Sequence, residues 1–424
     1  MIKKGKFVFT FSRRQFLEET MEKKKKNWTL PRHRIVRSTL GPIALPFLKM
    51  RYHVKTEPFR QEGDRAYLIL YNHQTGFDQF FVASSFRRPV YYVATEDIFS
   101  MGLVSKVIRW LVAPIPIRKS TTDITAVMNC IKVAREGGSI CIAPEGNRTY
   151  SGRTEYMSDS IAPLARKMKL PIALYRIEGG YGIQPRWSGA LRKGKMRAYV
   201  SQVIEPEEIA AMTNEELFQR IKDGLYVNEA VADASFRSNK RAEYLDRAMY
   251  VCPWCGLTKF HSEGNEIKCE SCGRTIHYGE DKRLTGVGFD FPFEFVAQWY
   301  DYQNQFMNSL DVTAMTAEPL FRDHARMSEV IVYQRKELLR EDVSMSLYGD
   351  RLVIDEGTEK EMVIPFSEVV AAACMGPNKL NIYHGKQIYQ FKSHKRFNAL
   401  KYVNLYYRYK NITRGDENDQ FLGL

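Results

Sequence analysis

The chain contains no run of about 18 uninterrupted apolar residues, so a conventional membrane-spanning helix is not expected. Met1 to Phe11 carries lysines but no apolar stretch of signal-peptide length. No internal repeat or low-complexity tract is present, which argues against a repeat array. Cysteine is scarce, with 7 in 424 residues. Two C-x-x-C pairs take four of them, and Cys130, Cys141 and Cys374 stand alone in apolar surroundings. An odd total with paired knuckles argues against a disulfide framework and for a reducing compartment with one metal site. The protein is expected to be made and kept in the cytoplasm.

What is present is length, an ordinary apolar content and positive charge. A chain of 424 residues implies two or three domains. A formal net charge of +14 calls for a partner among nucleic acids, anionic lipids or phosphorylated small molecules, and charge alone does not choose.

Residues 1–60 form a basic lead-in with Lys23-Lys24-Lys25-Lys26, Arg32, Arg34 and Arg37. The apolar run Leu40 to Leu48 within it is short and broken by two prolines, so it is expected to lie in a headgroup region or be buried. Residues 61–235 read as α/β. Strand-like runs at Ala66–Tyr71, Val90–Val93, Ser139–Ala143, Pro171–Ile177 and Met196–Val203 alternate with helical stretches such as Asp123–Glu136. That pattern predicts a mixed sheet covered by helices. Phe99–Val112 reads as a core-facing helix, with a membrane-facing one as the alternative. Glu205–Asp246 is helical in tone. The knuckles fall in 248–280, and 281–325 is a helical linker with an aromatic-rich amphipathic stretch at Phe291–Met307. Residues 326–412 contain seven short strand-like runs, the first at Glu329–Leu338, before a closing helix; this predicts a small β-barrel, followed by the tail 413–424.

The chemistry concentrates at two strand ends. After the first strand stands Asn72-His73-Gln74-Thr75-Gly76-Phe77-Asp78. An imidazole that takes a hydroxyl proton at neutral pH needs a carboxylate to set its tautomer, and Gly76 permits the turn that brings them together. At another strand end, Ala143-Pro144-Glu145-Gly146-Asn147-Arg148-Thr149 offers a glycine for close backbone approach and an arginine fork suited to phosphate oxygens. Ile115-Pro116-Ile117-Arg118 and Leu170-Pro171-Ile172 complete the set, and Gly179-Gly180-Tyr181-Gly182 after the last strand reads as loop.

In order and separation these four pieces resemble the sequence blocks of the glycerolipid acyltransferase superfamily typified by lysophosphatidate acyltransferase. H-x-x-x-x-D matches at His73 and Asp78, and P-E-G-x-R at Pro144, Glu145, Gly146 and Arg148. Thr149 stands where the family commonly has serine, and Leu174-Tyr175-Arg176 departs from the usual fourth block. The resemblance covers roughly residues 40 to 230. It implies that His73, oriented by Asp78, deprotonates an acceptor hydroxyl that attacks an acyl thioester of coenzyme A or acyl carrier protein. It further implies that Arg118, Glu145, Gly146, Arg148 and Thr149 bind a lysophosphatidate-like acceptor in phospholipid biosynthesis. The expected partners are a lysophospholipid acceptor and an anionic membrane surface, with the protein peripheral or monotopic on the cytoplasmic face.

Cys252-Pro253-Trp254-Cys255-Gly256 and Cys269-Glu270-Ser271-Cys272-Gly273 present four thiolates on two tight turns, a closed tetrahedral set for structural zinc. His261 or His277 is the lesser ligand choice. The segment resembles a zinc ribbon, and the C-terminal β region resembles a pleckstrin-homology-like domain. The rival readings are acylation of another acceptor, such as glycerol-3-phosphate, and a non-catalytic zinc-ribbon protein binding lipid or nucleic acid. Nucleic acid is not expected, because no basic recognition helix with interleaved aromatics lies beside the ribbon.

Overall fold

The computed structural model describes residues 27–119, 123–232, 234–415 and 421–423. The expected cation run Lys23-Lys24-Lys25-Lys26 and residues 416–420 and 424 of the tail lie outside them.

The first part of the chain is built on seven strands: β1 (Val54–Thr56), β2 (Leu68–Tyr71), β3 (Val90–Thr95), β4 (Ile115–Ile117), β5 (Ser139–Ile142), β6 (Ile172–Glu178) and β7 (Met196–Ile204). Their order across the sheet is β1-β7-β6-β2-β5-β3-β4. Neighbours run parallel except β6 and β7, so the sheet is mixed, as expected. The sheet also starts before residue 61, because β1 joins it beside β7.

The short strand length and wholly apolar sequence of β2 follow from burial on both faces. Leu68 and Leu70 point into one core with Cys130, Val133, Ile161 and Leu217. Ile69 and Tyr71 point into the other with Tyr52, Phe81 and Val82. Each fully buried aliphatic side chain here contributes about 1.5–3 kcal/mol. Helices cover both faces: α1 (Pro31–Tyr52), α2 (Asp78–Ser85), α3 (Glu96–Phe99), α4 (Leu103–Val112), α5 (Ile124–Arg135), α6 (Ile161–Met168), α7 (Gly180–Ile183), α8 (Pro206–Ala211) and α9 (Asn214–Leu225). Local signals start several of them. Asp123 caps α5 by accepting from the Ala126 amide, and Thr213 with Glu216 forms a capping box on α9.

Four expectations need correction. The run Leu40 to Leu48 is not a broken segment; α1 continues through Pro42 and Pro46. Tertiary anchors on either side of the prolines hold it. Arg37 donates to the Ala83 and Phe86 carbonyls at 2.8 Å, and Tyr52 packs on Phe77 and Phe81. The helix at Leu103–Val112 does not face the core. Leu103 is 77% exposed, Val104, Val107 and Trp110 are exposed too, and Ser105 alone is buried. Gly179 to Gly182 is not simply loop, since α7 begins at Gly180. Beyond α9 the described residues to Tyr244 are not helical, and only a 3-10 turn, Leu245–Arg247, reaches Asp246; the chain winds irregularly and seats Phe236 where Gly182 and Gly194 leave room for the ring.

A hairpin, β8 (Val251–Cys252) and β9 (Gly256–Leu257), precedes a four-stranded antiparallel sheet of β10 (Phe260–Glu263), β11 (Glu266–Cys269), β12 (Thr275–Tyr278) and β13 (Leu284–Gly286). The linker helix α10 is shorter than expected at its start, Val296–Ser309, because Phe291 and Phe293 lie outside it and pack edge-on against Trp299 and tilted against Tyr302. Then come β14 (Phe321–Glu329), β15 (Glu337–Leu347), β16 (Arg351–Ile354), β17 (Met362–Pro365), β18 (Val369–Met375), β19 (Lys379–His384) and β20 (Gln387–Lys392), closed by α11 (Leu400–Arg414). These strands form one curled antiparallel sheet in the order β17-β16-β15-β14-β20-β19-β18. It is a half-barrel rather than the closed barrel expected: no pairing joins β17 to β18 among the described residues. The first strand is also misplaced in the sequence reading. The apolar run Val330–Tyr333 is the connection between β14 and β15, and β14 escapes notice because only Phe321, Ala325 and Met327 of its nine residues are buried.

Candidate active site

The site lies beyond the ends of β2 and β5, adjacent parallel strands near the middle of the sheet, where such folds expose loops. Asn72 fixes the exit from β2. Its amide donates to the Ile177 carbonyl and accepts from the Ile177 amide, both at 2.8 Å, tying the loop to β6. The chain then turns so that Asp78 starts α2. The Asp78 carboxylate is fully buried and accepts from the amides of Gln74 (2.7 Å) and Thr75 (3.0 Å) and from the Thr75 hydroxyl (2.6 Å). Its Oδ2 also meets His73 Nδ1 at 2.8 Å. This array orients the ring with Nδ1 protonated toward the carboxylate, leaving Nε2 as the basic nitrogen. Nε2 has no hydrogen-bond partner among the described residues, and the ring remains 23% exposed. Burial lowers the His73 pKa, Asp78 works against that, and the cations Arg148 and Arg186 add to it. The imidazole is therefore neutral at pH 7, the form a general base requires.

The second loop supports the first. Glu145 is buried and both its carboxylate oxygens are engaged: Oε1 accepts from the His73 amide (2.9 Å) and Oε2 from the Glu155 amide (3.1 Å). Burial raises its pKa to about 8, against the pull of those two amides. Gly146 sits at φ +64°, and a Cβ there would meet nothing within 4 Å, so the turn needs glycine for its backbone rather than for space. The Thr149 hydroxyl is buried and accepts from the Gly152 amide at 2.9 Å, while its own amide donates to the His73 carbonyl at 3.2 Å. Glu145 and Thr149 thus brace the His73 loop.

Arg148 is different. Its guanidinium makes no hydrogen bond or salt bridge among the described residues, and burial plus the neighbouring Arg186 lower its pKa to about 10. Two further cations stand beside it that the sequence reading passed over. Arg186 is buried, lies 4.4 Å over the Tyr150 ring, and donates to the Arg148 carbonyl (3.1 Å) and Asn147 Oδ1 (2.9 Å). Lys119 bonds Asn147 Oδ1, and burial together with Arg186 and Arg148 lowers its pKa to about 7. Lys119 follows the Ile115–Arg118 block directly, a signal that adjacency offered; Arg186 stood in an unremarkable loop. Arg118 itself is exposed and lines a different cleft, formed with Tyr333, Tyr383 and Lys386 of the C-terminal region.

The half-barrel is seated on this site. The Cys374 carbonyl of β18 accepts from Lys119 Nζ (2.8 Å) and Arg186 Nη2 (3.1 Å). Glu96 accepts from Asn381 (3.2 Å), Tyr383 and the Lys119 amide (3.2 Å). Asp97 pairs with Lys336 and Lys379. Burial works to raise the Asp97 pKa, but the two ammonium groups outweigh it and hold it at about 2.

The four expected metal ligands converge. The sulfurs of Cys252, Cys255, Cys269 and Cys272 lie within 4.8 Å of one another, and those of Cys252 and Cys272 are 3.9 Å apart. A tetrahedral site with metal–sulfur bonds of about 2.3 Å places sulfurs roughly 3.8 Å apart, so the donor set fits zinc. Gly256 and Gly273, each following the second cysteine of its pair, adopt φ of +70° and +73°, the left-handed turn expected of knuckles. His261 and His277 are not in the group.

Among curated proteins none matches the chain. One solved structure that aligns with it is the 1-acyl-sn-glycerophosphate (LPA) acyltransferase, PlsC, from Thermotoga maritima. The two share 18% identity over 46% of this chain and 76% of that one, with a TM-score of 0.38. The stretch that holds His73, Asp78, Glu145 and Arg148 has a firmer counterpart: residues 51–177 match the family model described as Acyltransferase, so the chain carries the signature of that family over this part of its length.

Proposed function

We propose that the protein transfers a fatty acyl group from an acyl thioester to the hydroxyl of a lysophosphatidate-like acceptor, with His73 as general base and Asp78 as its positioning carboxylate. The observation that carries this reading is the 2.8 Å His73–Asp78 contact beside the unpaired Arg148 guanidinium. The acceptor hydroxyl gives its proton to His73 Nε2 as its oxygen attacks the thioester carbonyl. The tetrahedral intermediate collapses, the carbon–sulfur bond breaks, and the imidazolium returns the proton to the leaving thiolate. Asp78 stabilises the imidazolium between these steps. The acceptor phosphate is assigned to Arg148, whose fork suits two oxygens at once. Burial, helped by Arg186 and Arg148, lowers the Lys119 pKa to about 7, and an arriving dianion favours its charged form.

In this reading the protein works at a membrane surface, on the cytoplasmic face. No described helix is long and apolar enough to cross a membrane. Instead Leu40, Ile43, Phe47 and Met50 of α1 are exposed along one side, near the exposed face of α4, with Phe77 and Phe80 beside the catalytic loop. Cations on the margin of α1, Lys49 and Arg51 in its last turn, suit an anionic headgroup layer. The four cysteines are assigned to one structural zinc in a zinc ribbon, and the C-terminal half-barrel to a pleckstrin-homology-like domain. The test is formation of a new acyl ester from acyl thioester and lysophosphatidate, read by mass spectrometry, with glycerol-3-phosphate and lysophospholipids as competing acceptors. Undiminished turnover by His73→Ala would defeat the mechanism.

A further inference from the structure

A second cation-lined cleft, of about 500 Å³, lies beside the start of β4, away from His73. Arg32 of α1, Lys106 and Arg109 of α4, and Lys132 of α5 line it, together with the exposed rings of Trp110 and Tyr333. No Asp or Glu among the described residues lines it. The nearby Glu136 sets Oε1 4.0 Å from the Lys132 ammonium and gives Oε2 to the Trp28 and Thr29 amides at 2.7 Å, so among the described residues Lys132 is the one lining cation with a carboxylate beside it. Arg32 Nε is buried without a hydrogen-bond partner among the described residues, and Arg32 lies 5.6 Å from the Trp110 ring. Arg109 lies 4.5 Å over Tyr333. Gathering Arg32, Lys106 and Arg109 in a cleft without a carboxylate in its lining costs free energy through their mutual repulsion, and a polyanion would relieve it.

We infer that this cleft binds the phosphorylated nucleotide end of the acyl donor, making the donor an acyl-coenzyme A rather than an acyl carrier protein. The inference rests on the acyl-transfer reading above and names its donor. Coenzyme A carries three phosphate groups with about four negative charges at neutral pH, which suit Arg32, Lys106, Arg109 and the Glu136-paired Lys132. Its adenine is planar and stacks on exposed aromatic faces such as Trp110 and Tyr333. A carrier protein would instead meet a broad, flat surface.

Reach agrees as well. β4 is three strands from β2, and at ~4.8 Å per strand that is ~14 Å. The pantetheine arm has about as many bonds as four residues of extended chain, which also span ~14 Å. The exposed apolar side of α4 runs alongside the cleft.

The test uses the full chain and the exposed positions Lys106 and Arg109. Adenosine 3′,5′-bisphosphate, titrated by calorimetry, should bind and should compete with acyl-coenzyme A in turnover. Lys106→Gln/Arg109→Gln should weaken that binding about tenfold or more and raise KM for acyl-coenzyme A by the same factor. Turnover of the truncated donor acyl-pantetheine should not change. Absence of bisphosphate binding overturns the inference. So does a variant that loses only retention on vesicles containing anionic lipid, which would make the cleft a lipid-headgroup site. Intact bisphosphate binding without any acyl transfer would sink the proposed reaction and leave the nucleotide site standing.

Discussion

Asp78→Asn separates orientation from charge at the catalytic pair. In the native loop Oδ2 receives His73 Nδ1 and the Gln74 and Thr75 amides, while Oδ1 receives the Thr75 amide and hydroxyl. An asparagine placing its oxygen at Oδ2 keeps His73 held and turns its NH2 toward the Thr75 hydroxyl, which accepts from the Phe77 amide at 3.1 Å and has a second lone pair to offer. The opposite flip would face NH2 against the donors around Oδ2 and impose the wrong tautomer. The first arrangement preserves geometry but removes the charge that stabilises the imidazolium. A hydrogen bond to a charged group contributes about 1.5–3 kcal/mol, and loss of base assistance costs 10²–10⁴, so kcat should fall about 10³-fold with little change in acceptor KM. The pH profile gives a second reading. Activity rises as His73 loses its proton, and burial already sets that step below pH 6.5. Asp78 holds the pKa up, so removing its charge should move the acid limb of kcat/KM to lower pH. Steady-state kinetics from pH 4.5 to 8, with a melting curve to establish folding, measures both. A folded variant within about threefold of the parent kcat, or one whose acid limb moves upward, would refute the reasoning.

Arg148→Ala should raise KM for phosphate-bearing acceptors about 10- to 100-fold and leave a phosphate-free monoacylglycerol unaffected, checked by paired acceptor kinetics. Asp97 has its pKa held near 2, below its ordinary 3.8, so the ion pairs seating the half-barrel stabilise the fold fully above pH 3.8. That contribution, about 2 kcal/mol, fades as pH falls toward 2. Acid unfolding followed by circular dichroism should therefore start at higher pH in Asp97→Asn. Removing zinc with a chelator, or replacing Cys269 with serine, should release one metal per chain and lower the melting temperature, measured by elemental analysis and calorimetry. Ile43→Asp with Phe47→Asp should cut vesicle association at least tenfold in flotation assays, since each buried side chain of that size contributes about 1.5–3 kcal/mol.

The sequence by itself determined what depends on local pattern. A short apolar strand, a polar loop with Gly76, and a carboxylate five residues after His73 are enough to specify a pair that meets at 2.8 Å. Four cysteines in two glycine-closed knuckles likewise specify their own convergence. Strand positions in the half-barrel from Leu352 onward were legible because turn residues punctuate them, whereas β14 hid its three buried residues among charges. Tertiary structure decided everything that depends on which surface meets which. Periodicity in α4 records an apolar face without saying whether core or solvent lies beyond it. Proline in α1 forecasts a break, yet contacts from Arg37 and Tyr52 outweigh the missing backbone bonds. Glu145 and Thr149 belong to the right loop but turn inward, while Arg186 and Lys119 come to Arg148 from distant segments. Electrostatic neighbours of this kind form only when separate loops fold onto one sheet edge, a relation that no local window of sequence contains.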